Sequence, residues 1–382
     1  MVTLRSYATV EPGELVARVV KRSRFGRCAP AGEEWWPRRP RLGGRSSSRP
    51  HALGHRVGPM PPLESVPNLS EGRDRRVVDA VAAAFGSAGA RVLDVHLDPD
   101  HHRSVVTLVG DEQALEDGLV AGVDEARRLI DLRRHLGAHP RVGVADVIPV
   151  VPLAPEDLGR AVSVARAVAR RVGEGLGIPV FLYGALGEGR RPVFFRRGGL
   201  EELGRRIAAT ELAPPHGPPR LDPRAGAVLV GVRAPLVAFN LELRGSLEDA
   251  QAVAAAVRES SGGLPGVQAL GLALGDRVQV STNLVDVDAT PLHRLVECIG
   301  AEAEARGAAV GNGELVGLVP ARCVVEAARA AGVRDPADSS GLPTVPARDA
   351  AATAFRLGRL DADRVLEWHL EPDASRRGAA AP

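Results

Sequence analysis

From Leu63 onward the chain alternates between two periods. Short runs with an apolar residue at every second position give way to longer runs with one at every third or fourth, the marks of strand and amphipathic helix. The first half predicts a strand at Leu63–Val66 and a helix at Arg73–Phe85, with Val77, Val78, Val81 and Phe85 on one face. Strands follow at Arg91–Leu97 and Ser104–Gly110, a long helix at Asp111–Asp131, and a strand at Val147–Leu153. That order, β-α-β-β-α-β, is the split βαβ arrangement. A helix at Glu156–Leu176 and an apolar strand at Pro179–Tyr183 extend it. The second half repeats the order: strand Leu236–Leu243, helix Leu247–Ser260 behind an N-cap at Ser246, then strands Val267–Leu274 and Arg277–Val285 turning at Gly275-Asp276. A helix at Leu292–Arg306, a strand at Leu315–Val319 and a helix at Arg322–Ala331 complete it. The predicted fold class is α/β (α+β), with two similar β-α-β-β-α-β subdomains over 61–212 and 227–370, a connector at 213–226 and a flexible tail at 371–382. A cleft between two such lobes is where a small-molecule site tends to form.

Composition changes the picture mainly at the start. Residues 1–60 lack sustained periodicity and are rich in Arg, Gly, Pro and Ser, so they are expected to be a disordered basic extension, with Met60 as an alternative start. They carry 12 Lys/Arg against 4 Asp/Glu, or +8, which leaves −6 on the remaining 322 residues. The main body therefore has no basic footprint for nucleic acid. Lys21 is the sole lysine beside 48 arginines, a bias that weakens arguments from any single surface Arg. No stretch of about 18 apolar residues suggests a membrane span, and no secretory signal is evident. Three scattered cysteines, Cys28, Cys298 and Cys323, form neither a disulfide framework nor a CxxC motif, which points to a reducing, cytoplasmic setting.

Two segments could carry chemistry. Arg133-Arg134-His135-Leu136-Gly137-Ala138-His139-Pro140-Arg141 follows a helix; Gly137 can end that helix and Pro140 restrains His139 to an extended backbone. A histidine so placed among arginines suits proton transfer beside an anionic substrate, while a solvated helix end complementing the dipole is the plain alternative. Asp98-Pro99-Asp100-His101-His102-Arg103 lies on a turn between strands. With His96, His135 and His139 it offers a metal site on paper, but no HExxH-like spacing supports one, and tight-turn use of Asp-Pro-Asp is the alternative. Gly184-Ala185-Leu186-Gly187-Glu188-Gly189 lacks the glycine order of a phosphate loop, and no GxSxG elbow occurs.

Val66-Pro67-Asn68-Leu69-Ser70-Glu71-Gly72, Asp98-x-Asp-His-x-Arg103 and His139-Pro140-Arg141-x-Gly143, in this order, resemble the glutamate formimidoyltransferase family. Further matches are His216-Gly217-Pro218, Val237-Ala238-Phe239-Asn240, Ser281-Thr282-Asn283-Leu284 and Glu314-Leu315-Val316-Gly317-Leu318-Val319-Pro320, so the resemblance runs from about Ser65 to Ala331. It implies transfer of the formimino group of N-formimino-L-glutamate to N5 of tetrahydrofolate, releasing glutamate, in a homodimer with folate enclosed between two subdomains. The family's catalytic histidine maps to His139. Its folate-contacting loop maps to Gly217, Pro218, Pro219, Arg220, Leu221, Asp222, Pro223, Arg224, Ala225 and Gly226. Arg103 and Arg141 are candidates for the donor carboxylates because forked guanidinium donors match carboxylate geometry, and Asn68 is a further substrate-binding candidate. Tetrahydrofolate is the implied co-substrate and no metal is expected. The chain departs from the family pattern at Ala138, His96, His102 and Arg224-Ala225. Only about 50 residues follow the last match, so a cyclodeaminase domain is not expected. The alternatives are a related enzyme acting on 5-formyltetrahydrofolate or N-formylglutamate, a metal-dependent hydrolase, and a non-catalytic folate-binding protein.

Overall fold

The computed structural model describes residues 61–137 and 140–371; the extension 1–60, His139 and most of the tail lie outside the described residues. Eleven strands are formed there: β1 Leu63–Ser65, β2 Asn68–Leu69, β3 Arg91–Asp98, β4 Arg103–Gly110, β5 Ala145–Val151, β6 Val180–Gly184, β7 Val228–Val232, β8 Val237–Arg244, β9 Val267–Leu274, β10 Arg277–Leu284 and β11 Ala309–Val316. The helices are α1 Arg75–Gly86, α2 Glu112–Leu129, α3 Leu158–Arg170, α4 Pro192–Arg196, α5 Gly199–Ala208, α6 Leu247–Val257, α7 Leu292–Glu304, α8 Ala321–Ala330, α9 Val345–Ala354 and α10 Leu366–Leu370.

The first sheet has seven strands. Short strands β1 and β2 share one track, each lying between β4 and β5, and β3 closes the edge beyond β4. On the other side β7 runs parallel to β5, and β6 parallel to β7. The second sheet is antiparallel, in the order β11-β8-β10-β9. Taking β1 and β2 as one strand, the β3-β4-β1/β2-β5 part of the first sheet has the same strand order as the second sheet, with β7 and β6 added beyond it, the outcome expected for a repeated split βαβ unit. Side-chain caps set helix starts: Asp74 accepts from the backbone N–H of Arg76, Asp111 from that of Ala114, and Ser246 forms a capping box with Asp249.

Each sheet buries one face under its helices. In the first lobe Val106, Leu108, Ile148 and Val150 point inward; in the second, Phe239, Leu241, Val280, Leu295 and Ile299 form the core with Val253 and Val324. A strand's side chains alternate between faces, so the residues between these point the other way, into the space between the sheets.

Several expectations are corrected. The apolar run at Val228–Val232 is not part of the second lobe: it is buried between β5 and β6, as a continuous apolar run suits a parallel strand covered on both faces. The segment 213–226 therefore runs within the first lobe, and the chain crosses between lobes just after Val232. Strand β11 begins at Ala309 rather than Leu315, because Gly311-Asn312-Gly313 forms a bulge against β8 instead of a turn. The helix expected over Glu156–Leu176 is a 3₁₀ turn, α3 and a final π-helical turn. Helices α4, α5, α9 and α10 had no counterpart in the periodicity reading.

Candidate active site

Three of the sequence motifs lock into one another. The carboxylate of Glu71 accepts from the backbone N–H groups of Gly72, Arg73 and Asp74 at 2.9, 2.7 and 3.0 Å, and Nε2 of His102 approaches it at 3.1 Å. These donors hold the Glu71 carboxyl below its usual range against the opposing effect of burial, the largest single influence on it. A Cβ on Gly72 would stand 2.2 Å from the Asp98 carbonyl and 2.5 Å from the Arg103 nitrogen, so only glycine lets these two segments touch. Ser70 donates to the carbonyl of Gly143 at 2.7 Å, tying in the third motif. His102, at φ 52°, donates from Nδ1 to the carbonyl of Leu136 at 2.8 Å and stacks on His135 with ring centroids 3.9 Å apart. His135 in turn donates from Nε2 to the carbonyl of His102 at 2.9 Å. The segments flanking position 139 are thereby anchored to the Asp98–Arg103 turn.

Between the sheets lies a cavity of about 300 Å³, within the range for a small-molecule site. Its walls follow the strand alternation. The first lobe contributes Glu64, Asn68, His96, Asp98, Arg103 and Thr107, then Tyr183, Arg191, Arg196 and Arg233; the second contributes Ala238 and Asn240 on β8, Gln268 on β9, and Ser281 and Asn283 on β10. In the Ser281–Leu284 motif, Ser281 and Asn283 face the cavity, while Thr282 donates to the carbonyl of Phe239 at 2.6 Å and holds β10 to β8.

The charged groups are arranged around Asp146, which is fully buried. Arg103 donates to it from one terminal nitrogen at 2.8 Å and spends Nε and its other terminal nitrogen on Oδ1 of Asn68, at 3.0 and 2.7 Å. Arg196, at the end of α4, also donates to Asp146. Burial alone would raise the Asp146 carboxyl, but Arg196, Arg103 and the Val142 N–H together hold it well below the carboxylate range. Burial pushes Arg103 down to about 10, opposed by Asp146. Of the five guanidinium donors of Arg103, two are left by these contacts. Farther along the wall, burial raises the Glu64 carboxyl to about 7, against the pull of Arg233. It also raises the Tyr183 hydroxyl to about 12.

Of the residues singled out from sequence, Asn68 and Arg103 meet in the cavity wall, Asn68 fixing the plane of the arginine. Arg141 does not line the cavity: it donates to the carbonyl of Gly137 at 2.7 Å and contacts the ring of His135. Residues 217–226 do not line it either. Asp222 and Gly226 close a turn through paired backbone hydrogen bonds, and the turn packs on the flanks of the His135 segment through Leu132 N–H to Arg224 O at 3.0 Å and Val144 N–H to Ala225 O at 2.9 Å. Gly226 has φ 74°, and a Cβ there would stand 2.2 Å from the Val142 carbonyl, so its substitution disturbs folding first. His139 lies outside the described residues. Of the histidines that offered a metal site on paper, His102 stacks on His135 and contacts Glu71, His101 contacts Asp98 and Gln279, and His96 contacts Glu314. Among the described residues no group of three or more His, Cys, Asp or Glu is placed to hold a metal ion, and no helix is long and apolar enough to cross a membrane. Sequence reasoning missed Glu64, Tyr183, Arg191, Arg196 and Arg233. The pair Arg190-Arg191 before Pro192, an N-terminal helix signal, was the one sign that an arginine cluster followed β6.

Comparison with known proteins adds a further observation. Residues 62–233 match the family model "Formiminotransferase domain, N-terminal subdomain", and residues 238–331 match "Formiminotransferase domain"; the gap between the matches falls at the crossing from β7 to β8. A glutamate formimidoyltransferase of Thermoplasma acidophilum is 38% identical over 278 residues, covering 70% of this chain and 91% of that protein. One from Streptococcus pyogenes serotype M1 is 37% identical over 273 residues, with the same two coverages of 70% and 91%. The formimidoyltransferase-cyclodeaminase of Gallus gallus is 38% identical over 278 residues, which is 70% of this chain and 51% of that longer protein.

Proposed function

The chain belongs to the formiminotransferase family, and from that premise we propose that it moves the formimino group of N-formimino-L-glutamate onto N5 of tetrahydrofolate, giving 5-formiminotetrahydrofolate and glutamate. The observation that carries this reading is the cavity between the lobes. Its wall holds Arg103, Arg191, Arg196 and Arg233 against Glu64 and Asp98. That cationic excess favours a donor with two carboxylates, and the neutral side chains of Asn240, Ser281 and Asn283 can hydrogen-bond a heterocycle.

In the reaction N5 attacks the formimino carbon, a tetrahedral intermediate forms, and the glutamate nitrogen leaves. Holding both substrates together supplies much of the acceleration; proton transfer at the reacting nitrogens supplies the rest. His139 is assigned that proton transfer, a role supported by the family motif and by the anchoring of its neighbours His135 and Arg141. Arg103, in the cavity wall, is assigned to the donor carboxylates with Asn68 orienting it, while Arg141, outside that wall, is assigned to holding Gly137 and His135 in place. The 217–226 turn is assigned to folate contact on the flank of the His135 segment. Tetrahydrofolate serves as co-substrate, and family resemblance supports a cytoplasmic homodimer.

The test is glutamate release by the purified protein from formiminoglutamate. Release that requires tetrahydrofolate supports the reading; release without it, by hydrolysis, or none at all overturns it. His139→Ala lowers kcat by about 10²–10⁴ with little change in folate Kd, whereas His135→Ala keeps turnover. Near-normal turnover in the His139 variant rules out its assigned role.

A further inference from the structure

The lobes are joined by polar contacts. Arg277 pairs with Asp100, Arg364 with Asp94 at 2.9 Å, and Gln279 lies 3.1 Å from His101. A fourth contact opens onto the cavity. Nε2 of His96, on β3, stands 3.2 Å from Oε1 of Glu314, on β11 of the other lobe. The other carboxylate oxygen of Glu314 accepts from Nδ2 of Asn240 at 3.0 Å. His96 and Asn240 both line the cavity, as does Asp98 two residues along β3. The His96 side chain is 15% exposed, and its Nε2 is buried beside the carboxylate without the geometry of a hydrogen bond to it. The ring itself is part of the cavity wall. His96 is the largest influence holding the Glu314 carboxyl below its usual range; burial opposes it and Asn240 adds to it.

We propose that His96 is an acid–base group of the transfer reaction and that Glu314 positions it, so that the pair is complete only when the two lobes are docked. An imidazole in the wall of the reaction space with a carboxylate beside it is an arrangement in which the carboxylate supplies counter-charge to the protonated ring. The inference rests on the formimino-transfer reading and assigns a second group to it. When N5 bonds to the formimino carbon, one proton leaves N5. When the bond from that carbon to the glutamate nitrogen breaks, the electron pair stays on the nitrogen, which takes one proton. The count balances, but the two nitrogens sit at different points around the tetrahedral carbon, which favours two separately placed groups. His96 delivers the proton to the departing glutamate nitrogen, Glu314 carrying the counter-charge, and the group that takes the N5 proton lies elsewhere.

Three variants test this in the full-length protein. His96→Ala lowers kcat by about 10²-fold with the KM of both substrates within about threefold, and added imidazole, which fits the vacated space, restores turnover saturably. His96→Gln, which keeps the bulk of the ring, shows the same loss without rescue and with an unchanged unfolding midpoint. Glu314→Gln keeps a contact with Asn240 and lowers kcat by about tenfold at unchanged KM. Turnover within twofold of wild type in both His96 variants, or a loss in His96→Ala that imidazole does not relieve, overturns the assignment. Absence of transfer in the wild-type protein overturns the parent reading as well, whereas normal wild-type transfer with unimpaired variants overturns only the pair.

Discussion

The two lobes share the β3-β4-β1/β2-β5 strand order of the first sheet and present the same kind of sheet face to the cavity, yet they furnish it differently. The first lobe lines it with Glu64, Asp98, Arg103, Arg191, Arg196 and Arg233, besides His96 and Tyr183; the second lines it with Asn240, Gln268, Ser281, Asn283 and small or apolar side chains, none of them charged. One β-α-β-β-α-β plan thus carries Glu64, Asp98 and Arg103 in one copy, where the added β6, α4 and β7 segments bring Arg191, Arg196 and Arg233, and a neutral hydrogen-bonding wall in the other. The difference is affordable because a sheet's cavity face is decided by every second residue, leaving the core face untouched. Charges on the first wall survive burial only where they are paired, as Arg103 and Arg196 are with Asp146.

The strongest way to break the comparison is to remove that pairing. Asp146→Ala leaves two nearly buried arginines without counter-charge and destabilises the protein by about 3–5 kcal/mol, read by urea unfolding. Loss of under about 1 kcal/mol would mean that the arginines re-solvate freely and that the charged wall is not a fixed structure.

A second test uses pH. The folded-state pKa of Glu64, about 7, lies above its ordinary 4.5, so its contribution to stability is complete below the ordinary value and is lost as pH rises through 7. That shift amounts to about 3 kcal/mol between the two limits. Glu64→Gln abolishes the loss, so the variant gains on the wild type as pH moves from 5 to 8. Parallel stability–pH curves for the two proteins would show that Glu64 titrates normally.

The smallest effect belongs to the neutral wall. Asn283→Ala deletes one hydrogen-bonding group facing the cavity, raises the KM of one substrate by about three- to tenfold, and changes stability by less than about 1 kcal/mol. A loss of stability as large as that of Asp146→Ala would erase the distinction between the walls.

Much of the fold was legible in periodicity. Strands β3, β4, β9 and β10 and helices α1, α6 and α7 fall within a few residues of the runs that predicted them, because their apolar positions recur with the period of the element they form. Strand β7 was missed because a wholly apolar pentapeptide after a Pro/Gly-rich turn carries no period. The early part of β11 was missed because Gly311-Asn312-Gly313 reads as a turn where the sheet makes it a bulge. In the site, Asn68 and Arg103 were visible through their motifs. Arg191, Arg196 and Arg233 were hidden by the chain's general abundance of arginine, and Glu64 by its place in a three-residue strand too short to show which face it turns inward.

By itself, the sequence determined the two-lobed architecture and the family motifs, since local periodicity acts over short distances. Only the tertiary structure decided that segment 213–226 belongs to the first lobe, that Asp146 gathers two arginines 43 and 50 residues away, and that His96 meets Glu314 from the opposite lobe. Those contacts depend on which sheet a strand joins and which face turns toward the cavity. Burial and charge balance over the whole domain settle that choice, and no local spacing encodes it.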